Sequence, residues 1–97
     1  MFVVRDVFKC KPGQAKNLIE KFKKSLAMLY DAQPSNHRIL VDYISTYWTV
    51  VLEADVEDLD QFSRAMQEWG ERTDVREVMS GYMDLVDNGY REVYRVA

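Results

Sequence analysis

The sequence predicts one α+β domain in which two amphipathic helices pack on one face of an antiparallel sheet. Three observations carry this prediction. Strand-like Val/Phe/Tyr runs alternate with two helical stretches. The first helical stretch has an unbroken apolar stripe. Two pairs of adjacent strand-like runs are separated by only a few turn-forming residues.

The elements follow in order. Phe2 to Cys10 is rich in Val and Phe and reads as a strand, ended by Lys11-Pro12-Gly13. From Gln14 the period becomes helical. Ala15, Leu18, Ile19, Phe22, Leu26 and Leu29 form one stripe, with Lys16, Asn17, Glu20, Lys21, Lys23 and Lys24 opposite, and the helix is expected to end near Tyr30. Asp31 to Asn36 has the composition of a loop. Arg38–Ile44 and Tyr47–Ala54 are expected to be the second and third strands, hairpinned through a tight Ser45-Thr46 connection.

Asp55, with Asp58 three residues on, resembles an N-terminal capping box. The stripe of the second helix is Leu59, Phe62, Met66 and Trp69, with Gly70 as its stop. A short helical turn is expected at Thr73–Met79. Tyr82–Val86 and Tyr90–Val96 flank Asn88-Gly89, a strong hairpin signal. The order is β-α-β-β-α-β, with the last strand doubled by a C-terminal hairpin. This is the ferredoxin-like arrangement.

The 97 residues suit a single domain spanning 1–97, with 47% hydrophobic and 12% aromatic residues for a core. Cys10 is the only cysteine, so no internal disulfide forms, which fits a reducing cytoplasm. No apolar run is long enough for a signal peptide or a membrane span, so no membrane association is expected. The net charge of −3 gives no reason to expect a nucleic-acid partner. All six lysines lie between Lys9 and Lys24. Residues 1–30 therefore carry +5 and residues 31–97 carry −8. This pattern is read as a solvated lysine face beside an acidic second half, with anion steering as the functional alternative.

A homodimer is expected from the sheet face that the helices leave bare. Trp48, Val50, Leu52 and Ala54 form the apolar row assigned to the helix side. The opposite row, Tyr47, Thr49, Val51 and Glu53, and both rows of the second strand keep Val, Leu, Ile or Tyr. An antiparallel sheet with one face in water should alternate cleanly, so a second subunit is expected to cover this face.

Constellations that carry chemistry are sparse. One histidine and one cysteine make no metal cluster, and the acids at 55–60 suit a helix start better than a calcium loop. There is no Gly-x-Ser-x-Gly elbow and no Gly-rich phosphate loop. Cys10, on an apolar strand, reads as a packing residue. Trp69 reads as core, and Arg91 and Arg95 as surface charges on an edge strand.

Three segments carry a family resemblance: Phe8-Lys9-Cys10-Lys11-Pro12-Gly13, Trp48 through Asp55, and Asn88-Gly89-Tyr90-Arg91-Glu92-Val93-Tyr94. Together they resemble the dimeric α+β barrel superfamily, which includes NIPSNAP-like proteins and monooxygenases of the antibiotic-biosynthesis type. The resemblance implies a homodimer that binds a small apolar or aromatic molecule in the barrel interior, without a cofactor. It also offers an alternative, a cofactor-independent monooxygenase acting on a quinol or polyketide-like substrate. The Asn/Trp/His set of the superfamily's haem-degrading members is absent. Asp6 or Arg5 stands where the Asn would sit, and the second helix has no His. The pocket candidates are Asp6, His37, Tyr43, Tyr47 and Thr49. Asp6 leads them because it alternates with Val4 and Phe8.

Overall fold

A computed structural model of the chain describes residues 1–32 and 37–97. Its elements are β1 (Phe2–Cys10), α1 (Ala15–Ala32), β2 (His37–Val41), β3 (Thr49–Val56), α2 (Leu59–Glu71), α3 (Thr73–Met79) and β4 (Val86–Arg95), with a 3-10 turn at Tyr82–Leu85. The strands form an antiparallel sheet in the order β2-β3-β1-β4. This is the ferredoxin-like topology expected from the element order. No helix among the described residues is long and apolar enough to cross a membrane.

Helix α1 forms as its periodicity dictates. Ala15, Leu18, Phe22 and Leu26 are buried against Val50 and Leu52 of β3. Helix α1 extends to Ala32, two residues past its expected end near Tyr30 and into the expected loop Asp31–Asn36. The remainder of that loop, 33–36, and the side chain of Leu29 lie outside the described residues. In α2, Phe62 and Leu59 pack on a second cluster formed by Val4, Ala54 and Val56. The N-cap is Asp58 rather than Asp55, because β3 continues to Val56, and the Asp58 carboxylate accepts the Gln61 backbone N–H at 3.1 Å. Gly70 does not stop the helix. The chain continues to Glu71, where the backbone N–H of Arg72 donates to Trp69 O.

Two connections differ from expectation. The β2–β3 link is not a tight turn at Ser45-Thr46 but an irregular segment over 42–48. Asp42 closes it: its backbone N–H donates to Thr49 O at 3.1 Å, and its carboxylate accepts the Thr49 N–H at 2.9 Å. Tyr47 and Trp48 lie in the left-handed region, with φ of 67° and 51°. Their strand conformation is therefore broken just before Thr49. Trp48 is removed from the buried row in consequence and is 44% exposed, while Val50, Leu52 and Ala54 stay buried.

The C-terminal hairpin does not form. Asn88-Gly89 lies inside the continuous strand β4, which pairs with β1 from Phe2↔Arg95 to Lys9↔Asn88, and a register shift follows between Lys9 and Cys10. Pairing with β1 supplies ladder bonds along most of β4, against the few that a local hairpin would give. Gly89 meets a different need here. A Cβ at this position would lie 2.9 Å from the Val7 carbonyl oxygen.

Candidate functional site

Strand register sorts the sheet residues onto two faces. The helix-covered face carries Val4, Asp6 and Phe8 of β1, Val50, Leu52 and Ala54 of β3, His37 and Ile39 of β2, and Gly89, Arg91 and Val93 of β4. The helices do not fill the space above it. A cleft of about 530 Å³ lies between this face and α2, α3 and the 3-10 turn. Val4, Phe22 and Leu52 form its buried floor, and Phe62, Met66 and Trp69 of α2 form a wall. The volume is within the range of small-molecule sites.

A few polar groups converge on this apolar space. Asp6 and Arg91 face each other across β1 and β4. Arg91 Nε donates to Asp6 Oδ1 at 2.6 Å and Nη2 to Oδ2 at 3.1 Å, a side-on bidentate pair. This hydrogen bonding to Asp6 raises the Arg91 pKa above its already high ordinary value. His37 enters from β2 with its ring stacked on Phe62 at a centroid distance of 6.0 Å. Burial pushes its imidazole below the usual range, and the Asp6 charge pulls the other way. Arg76 of α3 completes the charged lining, with Nε donating to Gly70 O at 3.3 Å. Trp69 is fixed by its indole N–H, which donates to Ser25 O at 3.2 Å.

Of the five pocket candidates, the fold brings Asp6 and His37 together in this cleft. Tyr43 and Tyr47 stand in the 42–48 segment, 98% and 79% exposed. Thr49 points to the opposite face, where its hydroxyl accepts from Lys9 Nζ at 3.2 Å. Cys10 is buried in the main core, and burial pushes its thiol pKa up, with Asp42 and Asp87 adding to the shift.

Arg91 is an exposed charge on the edge strand β4, as expected, and it also lines the cleft through its pairing with Asp6, which was not expected. The signal for it was its strand parity opposite Asp6, which the expected hairpin concealed. Met66, Met79 and Arg76 also line the cleft. Of these, only Met66 was marked by a helical stripe.

The bare face is ordered in rows that run across the sheet. Leu40, Val51, Val7 and Tyr90 align across all four strands as an apolar row. Beside it Arg38, Glu53, Arg5 and Glu92 align as a row of alternating charge. Glu53 is only 3% exposed because guanidinium groups from both neighbouring strands converge on it. Arg5 Nε donates to Oε2 at 2.7 Å, Arg38 Nε donates to Oε1 at 2.8 Å, and Arg38 Nη2 also donates to Oε1. Chiefly through Arg38 and then Arg5, these bonds hold the Glu53 carboxyl below the usual glutamate range, against the opposing effect of burial. The last residue of the row, Glu92, accepts the Tyr94 hydroxyl. No group of His, Cys, Asp and Glu suited to a metal ion occurs among the described residues.

Comparison with protein-family models and with curated proteins gives no match. Solved structures do match. A NIPSNAP family protein from Agrobacterium tumefaciens superposes with a TM-score of 0.85 at 10% identity, covering 99% of this chain and 92% of that one. An uncharacterized NIPSNAP-like domain protein from Burkholderia xenovorans gives 0.84 at 13% identity, covering 99% and 84%. An antibiotic biosynthesis monooxygenase gives 0.73 at 10% identity, covering 100% and 99%. The chain thus has the α+β fold that these NIPSNAP proteins and this monooxygenase share.

Proposed function

We propose that the protein is a homodimer that binds a small apolar or aromatic molecule, and that the binding site is the cleft beneath α2 and α3 rather than the interior enclosed between two sheets. The observation that carries this reading is the mostly apolar space of about 530 Å³ with Asp6, His37 and Arg91 converging on it. An apolar ligand gains by leaving water for such a lining, and a few fixed polar groups orient it. Met66 and Met79 suit this role, since thioether side chains adapt to ligands of varied outline.

The bare face supports the dimer. In this apolar row Val7 is already buried, Leu40 and Val51 are half-buried and Tyr90 is 52% exposed, and with no helix over this face the exposed part is surface that a partner would cover. The neighbouring + − + − row is self-complementary. A two-fold axis along the strands reverses the row, so that Arg38 meets Glu92 of the partner subunit and Glu53 meets Arg5 of the partner subunit. With its one cysteine buried, the protein suits a reducing, cytoplasmic setting.

The test of binding uses phenylnaphthylamine, a neutral aromatic dye, with energy transfer from Trp69 in the cleft wall. Saturable binding at one site per chain is expected, and Met66→Trp, which fills the cleft from α2, is expected to weaken it at least about tenfold. Circular dichroism establishes that this variant is folded. Unchanged dye affinity in the folded variant would place the site elsewhere.

A further inference from the structure

The charged groups of the cleft do not balance. Its lining contains Asp6, Arg91, Arg76 and His37. Both oxygens of Asp6 are taken by Arg91, so that pair is neutral as a unit. Burial favours the uncharged form of His37. Arg76 is left with a full positive charge and no carboxylate partner among the described residues; its guanidinium donates from Nε to a backbone carbonyl, Gly70 O. The lining therefore carries a net +1 in a protein whose overall charge is −3.

The position of this excess charge matters as much as its sign. Arg76 and Arg91 are both exposed, whereas Val4, Phe22 and Leu52 at the floor are buried. The cleft is thus apolar at its base and cationic at its mouth. Asp6 holds Arg91 by one edge, which fixes the guanidinium plane and leaves its other N–H groups available. A guanidinium group pairs well with a planar or tetrahedral oxyanion, and two of them line this one cleft beside apolar surface, where such pairing is stronger than in bulk water.

We propose that the ligand of this cleft is an amphipathic monoanion: an apolar or aromatic body carrying one carboxylate, sulfonate or phenolate, with the body on the floor and the anion between Arg76 and Arg91. This deepens the binding reading given above and rests on it. Arg76 and Arg91 are the specificity residues, and Asp6 positions Arg91.

Two dyes with nearly the same ring system separate this proposal from the reading beneath it. Phenylnaphthylamine is neutral, and anilinonaphthalene sulfonate adds one anionic group. The sulfonate is expected to bind the wild-type protein about tenfold more tightly than the neutral dye. Arg76→Gln is expected to remove most of that advantage, read as the ratio of the two dyes' affinities for the same variant. Arg76→Lys, which keeps the charge, is expected to retain part of it, and Lys23→Gln on the exposed face of α1 is expected to change neither dye. Equal affinities for the two dyes, or a sulfonate advantage that survives Arg76→Gln, would overturn the proposal while binding of the neutral dye upholds the cleft. If neither dye binds, both readings fail.

Discussion

The two faces of one sheet solve opposite problems with the same strands. On the helix-covered face, side chains from β1, β3 and β2 are mostly apolar and meet α1 closely, but α2 and α3 leave an open space. On the bare face an apolar row lies beside a row of alternating charge, in which Glu53 pairs with both Arg5 and Arg38. The difference is the basis for assigning each proposed partner to its own face. A cavity roofed by helices suits a small molecule, whereas a flat face of aligned apolar and alternating charged rows suits a second protein surface.

Each side of this comparison can be broken separately. The largest effect is expected from Leu18→Ala, since Leu18 is fully buried between α1 and the helix-covered face. A loss of about 3 kcal/mol in denaturant unfolding is expected, and a loss below about 1 kcal/mol would mean that this face is not the core.

Tyr90→Glu addresses the other side. Tyr90 belongs to the apolar row and is 52% exposed within one subunit. A buried unpaired charge is costly at an interface and cheap in water. The dimer dissociation constant is expected to rise about thirtyfold in sedimentation equilibrium, corresponding to about 2 kcal/mol, while the unfolding of the isolated subunit stays nearly the same. A wild-type protein that remains monomeric would remove the dimer from the account and leave the cleft untouched.

Glu53→Gln has the smallest expected effect and the clearest pH signature. The native carboxyl titrates below its ordinary value of 4.5, chiefly through Arg38 and then Arg5. The unfolded chain then takes up the proton first as pH falls, so this stabilisation is fully present above about pH 4.5 and is lost below it. His37 acts with the same sign at higher pH, because its native pKa is also lowered, from 6.5. Glu53→Gln should therefore lose about 1 kcal/mol at neutral pH and flatten the stability profile only on the acid side of pH 4.5. A profile parallel to wild type would mean that the two arginines contribute nothing to folding through Glu53.

The same contrast explains what could be read from the sequence. The stripe of α1 and the alternation of Val4, Asp6 and Phe8 were legible because burial on one side imposes a fixed period. Other features were not legible. The left-handed Tyr47 and Trp48 depend on Asp42 closing the segment onto Thr49 and on the Cys10 N–H reaching Trp48 O at 2.8 Å, contacts that no local pattern announces. Asn88-Gly89 carried a genuine local turn signal that was overridden by long-range pairing with β1. The pairing of Arg91 with Asp6 was lost with it, since that register follows from an uninterrupted β4. Cleft residues brought by α3 and the 3-10 turn depend on tertiary packing of short segments with little periodicity of their own.

Methyl-resolved NMR during a titration with phenylnaphthylamine tests the division of labour between the faces most directly. The account predicts that methyl signals of Val4, Leu52, Met66 and Met79 shift with the dye while those of Val7, Leu40 and Val51 hold their positions. Shifts confined to Val7, Leu40 and Val51 would place the ligand on the bare face and contradict it.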